Sequence, residues 1–213
     1  MAGKIITVAQ QKGGSGKTTL TAHLAVAWAR RRGIAVAILD TDPQGSLGEW
    51  FEAREGRLGE DAAGVLFRTA SGWGARREAR SLARSHDFVI IDTPPKSDLD
   101  ARPAIECADL VIIPIQPSPV DLWATQSTLD LAAKEGTASL LILNRVPPRA
   151  SLTADMVEAM DGFKWGIAKA RLGNRVAFAG AMGDGLTVME VSGAQKAAVE
   201  VEALAGEIRK AAK

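Results

Sequence analysis

The chain has 213 residues, which suits one large domain with a sizeable core. Its 26 Lys and Arg residues balance 25 Asp and Glu residues, so the composition excludes a uniformly basic or acidic protein, and any charged binding surface must be local. Cys107 is the single cysteine, and His23 and His86 are the two histidines, which excludes a disulfide framework and a zinc site of the usual ligand spacing within one chain.

No apolar run in the sequence approaches the roughly 20 residues of a membrane span, and the first residues lack the layout of a signal peptide. The chain also shows no repeat, linker or low-complexity segment. The sequence therefore predicts a cytoplasmic protein with a single domain over residues 1–213.

Strand-like and helical segments alternate along the chain. The apolar runs of strand length are nearly continuous, which is typical of strands covered on both faces. The stretch after the first run has helical spacing, with apolar residues at Leu20, Leu24 and Trp28 and a stop signal at Gly33. This order predicts an α/β fold with a doubly wound, mostly parallel sheet and helices on both faces, in which ligands bind at the carboxyl ends of strands. The predicted strands are 5–9, 35–39, 88–91, 110–115 and 140–143.

The first strand leads into the segment QQKGGSGKTT at 10–19. It departs from the phosphate-binding pattern G-x-x-x-x-G-K-[ST] because Gln11 stands where the first glycine is expected, and an extra lysine, Lys12, precedes the glycines. The glycines let backbone N–H groups turn inward and form an anion-binding concavity at a helix N-terminus. We expect Lys17 to reach the β- and γ-phosphates of a nucleotide and Thr18 to offer its hydroxyl to Mg²⁺.

Carboxylates follow the second and third predicted strands. Asp42 lies in LDTDPQGS at 39–46, and Asp92 closes FVIIDTPP at 88–95. Because Mg²⁺ bound to phosphates needs further oxygen ligands, Asp92 is a candidate metal ligand, and Asp42 is a candidate for the metal shell or for orienting an attacking water. An alternative is that both residues only cap turns.

These three segments, in this order, resemble the deviant Walker A, A′ and B motifs of the ParA/MinD family of P-loop ATPases. Further segments, VIIPIQPSPVDLWA at 111–124, LILNRV at 141–146, RVAF at 175–178 and GLTVME at 185–190, resemble the short ParF-type partition ATPases. The chain starts directly at its first strand, so we expect the extra DNA-reading domain of the larger ParA proteins to be absent.

The resemblance implies a Mg²⁺-dependent ATPase that cycles between ATP and ADP. It implies that Lys12 contacts the phosphates of a partner subunit, so that the ATP-bound form is a homodimer enclosing two nucleotides. Asn144 is expected to read adenine, although a strand-end turn role is the alternative. The implied nucleotide-binding residues are Gly13, Gly14, Ser15, Gly16, Lys17, Thr18, Thr19 and Asn144; the implied metal-site residues are Thr18, Asp42 and Asp92; the implied catalytic residues are Lys12, Lys17 and Asp42.

The resemblance also implies partners. ParA relatives bind DNA without sequence preference in the ATP state, associate with the nucleoid, and position plasmid, chromosome or protein-cluster cargo with a small centromere-binding or cargo-adaptor protein that stimulates hydrolysis. Two basic clusters are candidate DNA surfaces, and each has a solvated charged face as its alternative. The first cluster is Lys164, Lys169, Arg171 and Arg175; the second is Arg76, Arg77, Arg80 and Arg84.

Two other functions share the nucleotide motifs. One is a MinD-like spatial regulator on membranes, and the other is an ATP-dependent ligase of the cobyrinic acid or dethiobiotin synthetase type. The C-terminal stretch 194–213 carries an apolar stripe beside several glutamates, so we expect it to pack on the core rather than on an anionic bilayer. Lys12 and the paired glycines after it argue against the ligase.

Overall fold

The computed structural model of the chain describes residues 2–59, 64–95, 98–148 and 166–212. Within these residues the strands form one sheet in the order β3-β2-β4-β1-β5-β6-β7, and every neighbouring pair is parallel. The predicted doubly wound α/β sheet is thus confirmed. The strands are β1 Lys4–Val8, β2 Val36–Asp40, β3 Leu66–Thr69, β4 Phe88–Asp92, β5 Leu110–Ile115, β6 Ser139–Leu143 and β7 Gly166–Ile167.

Helices follow the strands and cover the sheet. Their bounds are α1 Lys17–Ala29, α2 Ser46–Leu58, α3 Gly74–Leu82, α4 Asp98–Glu106, α5 Pro119–Lys134, α6 Val176–Gly183 and α7 Gln195–Ala211. Among the described residues, no helix is both long and apolar enough to cross a membrane.

The central strands are apolar throughout because both of their faces are buried. Along β4, Ile90 points into the core cluster that holds α1 and α7, whereas Val89 and Ile91 belong to a cluster on the opposite face. Alternate side chains of a strand face opposite sides of a sheet, so a strand between two helical layers needs apolar residues at every position. The edge strands β3 and β7 were not predicted, since they are short and carry no continuous apolar run.

Helix α7 packs on the core as expected from its apolar stripe. Its residues Val201, Leu204 and Ile208 are each at most 1% exposed. The indole Nε1 of Trp28 on α1 donates a 3.1 Å hydrogen bond to the carbonyl oxygen of Ala205, which ties α7 to the helix that follows the glycine loop. The stripe is therefore occupied by the protein itself and is unavailable to a lipid surface.

Candidate nucleotide-binding site

The glycine loop joins the end of β1 to the start of α1 at the centre of the sheet. Gly14 and Gly16 have φ angles of 76° and 93°, in the left-handed region that favours glycine. A Cβ atom on Gly16 would also collide with the side-chain amide of Asn144, so this position needs glycine for two reasons. The loop places the N-terminus of α1, with its free N–H groups and partial positive charge, at the carboxyl edge of the sheet.

Lys17 begins α1 and is only 7% exposed. Burial lowers its pKa, and the nearby carboxylates of Asp92 and Asp42 oppose that effect. A cationic group held in a buried position beside free N–H groups is suited to an anionic ligand. The cavity beside it, which we name the phosphate cavity after its expected ligand, has a volume of about 290 Å³. It is lined by Gly13, Gly14, Gly16, Lys17, Thr18, Thr19, Asp42, Gln44, Ser46, Pro95 and Arg145.

Asp92 ends β4 and lies directly across from the first turn of α1. The Thr18 hydroxyl donates a 2.8 Å hydrogen bond to Asp92 Oδ2, whereas Asp92 Oδ1 is buried and has no hydrogen-bond partner among the described residues. Burial raises the pKa of Asp92 to about 7. An orphaned carboxylate oxygen next to a threonine hydroxyl and a phosphate cavity fits Mg²⁺, which takes oxygen ligands and keeps several waters.

The segment after β2 is anchored to the same strand end. The Thr41 backbone N–H and hydroxyl both donate to the carbonyl oxygen of Asp92, at 3.0 and 2.7 Å. The Asp42 N–H donates to Asp40 Oδ1 and the Gln44 N–H donates to Asp42 Oδ1, both at 2.9 Å. Asp42 thereby lines the phosphate cavity while one of its oxygens is held by its own turn. Asp40 belongs to the polar residues that the sequence places at this edge but is not among the predicted site residues, and burial raises the pKa of its carboxyl group.

A second cavity, of about 370 Å³, adjoins the phosphate cavity and shares Gly16, Thr19 and Arg145 with it. Its walls combine apolar side chains with backbone and polar groups, which is typical of a small-molecule pocket. Together the two cavities have an anionic-ligand end and a partly apolar end, as a nucleotide requires. The remaining lining residues of the second cavity are Leu20, His23, Asn144, Leu172, Gly173, Asn174, Arg175, Val176, Phe178 and Ala179.

Asn144 lies where the two cavities meet and is 8% exposed. Its Nδ2 donates a 2.8 Å hydrogen bond to the carbonyl oxygen of Ser15, and its Oδ1 accepts one of 2.9 Å from the Arg145 N–H. The amide therefore holds the glycine loop to the end of β6. One N–H of the amide remains for a ligand. Its expected reading of adenine stays a prediction, and the loop contact is an additional role that sequence reasoning missed.

His23 lies in the wall of the second cavity and was also missed. Its Nδ1 is 2.7 Å from the carbonyl oxygen of Thr19, and its Nε2 is 3.1 Å from the backbone N–H of Val188. Since Nε2 must accept from that N–H, the proton resides on Nδ1. Burial lowers the pKa of His23 to about 4, so the ring is neutral at physiological pH. A lone histidine in a predicted helix carries no sequence signal for this contact.

Lys12 is held within its own chain. Its Nζ lies 2.6 Å from Asp121 Oδ2 in the first turn of α5, and the Ser118 hydroxyl donates to the same oxygen. The Lys12 side chain is 35% exposed, whereas that of Asp121 is 3% exposed. Lys12 is outside the lining of both cavities. The lysine is thus partly exposed beside the site and paired within its own chain, and Asp121 is a partner that the sequence did not identify.

The structure describes only part of the first basic cluster, because Lys164 lies outside the described residues. Lys169 and Arg171 are exposed. Arg175 forms an ion pair with Glu200 and lines the second cavity, so a large part of its charge is neutralised. The DNA-binding assignment of this cluster stays a prediction, with Arg175 its weakest member.

In the second basic cluster, Arg76 forms a 2.7 Å ion pair with Glu106. The other members, Arg77, Arg80 and Arg84, are exposed. A DNA surface here would therefore depend mainly on Arg77 and Arg80 of α3 and on Arg84 just after its end, and this assignment also stays a prediction.

Comparison with known proteins agrees with this geometry. Residues 6–188 match the CobQ/CobB/MinD/ParA nucleotide binding domain. Maintenance of carboxysome distribution protein A from Halothiobacillus neapolitanus is 29% identical over 95% of each chain. Among solved structures, a plasmid partition protein from Borrelia burgdorferi bound to AMPPNP superposes with a TM-score of 0.80 at 18% identity, covering 98% of this chain and 99% of that one. The septum site-determining protein MinD of Pyrococcus horikoshii, complexed with Mg-ADP, gives a TM-score of 0.77 at 25% identity over 98% and 96% of the chains.

Proposed function

The chain belongs to the CobQ/CobB/MinD/ParA family of nucleotide-binding domains, and we propose that within it the protein is a ParA-type ATPase that positions large cellular cargo. The observation that carries the proposal is the pair of adjoining cavities at the glycine loop, with Lys12 at the surface beside them. The first cavity suits phosphates and the second suits a nucleoside. The surface lysine suits a contact with a second copy of the chain.

ATP hydrolysis is assigned to residues that converge on the phosphate cavity. Lys17 and the N–H groups of Gly14 to Lys17 bind the β- and γ-phosphates. Thr18 and Asp92 would hold Mg²⁺, which neutralises charge on the phosphates when bound. Asp42 lines the same cavity and orients a water or the metal shell. Because Asp42 and Asp92 are assigned to the metal shell and to water, no described side chain in the cavity is left as a clear general base, and we expect slow hydrolysis that a partner protein stimulates.

Lys12 links the nucleotide to dimerisation in this proposal. It lies outside its own cavities but next to the glycine loop, so a facing subunit could receive its charge at the phosphates. A cation supplied in trans stabilises the transferred phosphoryl group only when two subunits meet, as an arginine finger does. The contact between Lys12 and Asp121 must break for this to happen. Dimerisation would then report the presence of the γ-phosphate.

The proposed role of the dimer is to bind DNA without sequence preference on the nucleoid and to release it after hydrolysis. A dimer doubles the number of arginine and lysine contacts with phosphates, which makes the affinity steeply dependent on salt. Similarity to the Halothiobacillus protein along nearly the whole of both chains supports the positioning of a large cargo rather than the conversion of a small molecule. A small adaptor protein would connect the dimer to that cargo.

The test is to measure retention of the protein on random-sequence DNA and on anionic vesicles with ATP, ADP or no nucleotide, at low and high salt. We expect DNA retention only with ATP and its loss at high salt. Lys12→Gln should retain nucleotide binding and lose the ATP-dependent dimer seen by light scattering, together with DNA retention. Retention on vesicles without DNA would replace the proposal with a MinD-like membrane regulator. Turnover that requires a small carboxylic acid would replace it with a ligase.

A further inference from the structure

The connection from Ala168 to Arg175 forms one wall of the second cavity, through Leu172, Gly173, Asn174 and Arg175. It carries no sequence motif for nucleotide binding. One side of this connection is hydrogen-bonded to β6 and to the residues that follow β6. The N–H groups of Ala168, Leu172 and Asn174 donate to the carbonyl oxygens of Leu141, Leu143 and Val146 at 2.8–3.0 Å. The wall is therefore attached to β6 at one side.

The other side of the wall is held by two carboxylates of α7. Glu207 accepts hydrogen bonds from the backbone N–H groups of Lys169 and Ala170, at 2.7 and 2.9 Å, with one oxygen for each. Glu200 accepts a 3.0 Å bond from the Gly173 N–H and binds the guanidinium of Arg175. The two glutamates are seven residues apart, so two helical turns place them on the same side of α7.

We infer that Glu200 and Glu207 are positioning residues that fix the nucleoside wall of the nucleotide site. The inference rests on the proposed function in one respect, namely that the second cavity takes the nucleoside. Neither glutamate touches the phosphate cavity, so their contribution is limited to the nucleoside end of the ligand. The C-terminal helix, anchored on α1 through Trp28, thereby sets the nucleoside affinity of a site whose phosphate-binding residues all lie near the beginning of the chain.

The contacts of Glu200 and Glu207 require a carboxylate rather than an amide. Each glutamate uses both oxygens as acceptors, and a glutamine has one oxygen and one amide group that donates. Substitution with Gln would therefore set a donor against an N–H group or a guanidinium while keeping the size of the side chain. Hydrogen bonds to charged groups are the stronger ones in proteins, so we expect the wall to lose its position in either variant.

The experiment compares Glu200→Gln and Glu207→Gln with wild type by calorimetric titration of ADP and, separately, of inorganic tripolyphosphate, both with Mg²⁺. The ADP affinity should fall by about tenfold in each variant, the equivalent of one lost charge-assisted hydrogen bond. The tripolyphosphate affinity should stay within about twofold of wild type. Glu202→Gln is the matched control, because Glu202 is an exposed residue of the same helix. It should leave both affinities unchanged.

The outcomes separate the inference from the proposed function. Unchanged ADP affinity in both variants, or equal losses for ADP and tripolyphosphate, would overturn the assignment of Glu200 and Glu207. Failure of the wild-type protein to bind either ligand would instead overturn the nucleotide site itself. Urea unfolding of each variant shows whether it is folded, and the tripolyphosphate titration provides an internal check of the phosphate loop in the same sample.

Discussion

Replacing Asp92 with Asn should stabilise the nucleotide-free protein at alkaline pH and abolish Mg-ATP hydrolysis. The residue is 1% exposed, and burial raises the pKa of its carboxyl group from 3.8 to about 7. An asparagine keeps an oxygen that accepts the hydrogen bond from Thr18 but carries no charge. The substitution therefore removes the cost of a buried charge together with a ligand for Mg²⁺. A gain in stability with a loss of activity is expected at a site built for a ligand.

The size of the effect follows from proton linkage. Between pH 3.8 and about 7 the folded protein binds a proton at Asp92 and the unfolded chain does not, so the free energy of unfolding decreases as the pH rises. Each pH unit in that window costs about 1.4 kcal/mol, which gives about 4 kcal/mol in total and about 2 kcal/mol between pH 5.5 and 8. Burial of Asp40, whose pKa is also raised, adds an effect of the same sign.

His23 acts in the opposite direction in the wild-type protein and must be separated from Asp92. Burial lowers the pKa of His23 from 6.5 to about 4, so its contribution is present above pH 6.5 and is lost as the pH falls. This contribution is common to wild type and Asp92→Asn and cancels in their difference. The difference between the two proteins therefore isolates the Asp92 carboxyl group together with its charge interactions with Asp40 and Lys17.

Urea unfolding with EDTA at about pH 5.5 and 8 measures this difference. Asp92→Asn should exceed wild type by about 2 kcal/mol at the lower pH and by up to about 4 kcal/mol at the higher one. Asp184→Asn, at an exposed carboxylate, is the control and should show no such rise. An equal difference between Asp92→Asn and wild type at both pH values would contradict a raised pKa of the Asp92 carboxyl group. A variant less stable than wild type at pH 8 would contradict it as well.

Two further substitutions test contacts that only the structure reveals. Asp121→Asn removes the charged partner of Lys12 in both subunits of the dimer. It should increase the equilibrium constant of ATP-induced dimerisation about tenfold, since two partly exposed ion pairs, each worth about 0.7 kcal/mol, no longer have to break. Light scattering across an ATP titration checks this, and an unchanged dimer fraction contradicts it. Arg54→Met should lower the free energy of unfolding in urea by about 3 kcal/mol. It removes the two hydrogen bonds, of 2.9 and 2.7 Å, that the Arg54 guanidinium donates to the half-buried carboxylate of Glu190. A loss below about 1 kcal/mol would show that the ion pair between Arg54 and Glu190 contributes little to the stability of the fold.

The sequence by itself determined the architecture and which residues gather at the end of the site that we propose for the phosphates. Continuous apolar runs alternating with helical stretches require strands buried on both faces, and hence a parallel sheet between helical layers. The glycine loop then follows β1, and Asp42 and Asp92 follow β2 and β4, because polar residues after parallel strands collect at one edge. Thr18 and Asp92 are 74 residues apart, yet this rule predicts that they lie near each other at the same edge.

Only the tertiary structure decided the rest of the site, because its contacts join elements that no local pattern relates. Lys12 and Asp121 are 109 residues apart, and His23 binds the backbone of Val188 across 165 residues. Several of these contacts use backbone N–H and C=O groups, which every residue other than proline possesses and which therefore leave no mark in the sequence. The nucleoside wall and its carboxylate supports on α7 exist because β6, β7 and α7 pack together, and packing is decided by the whole chain rather than by any segment of it.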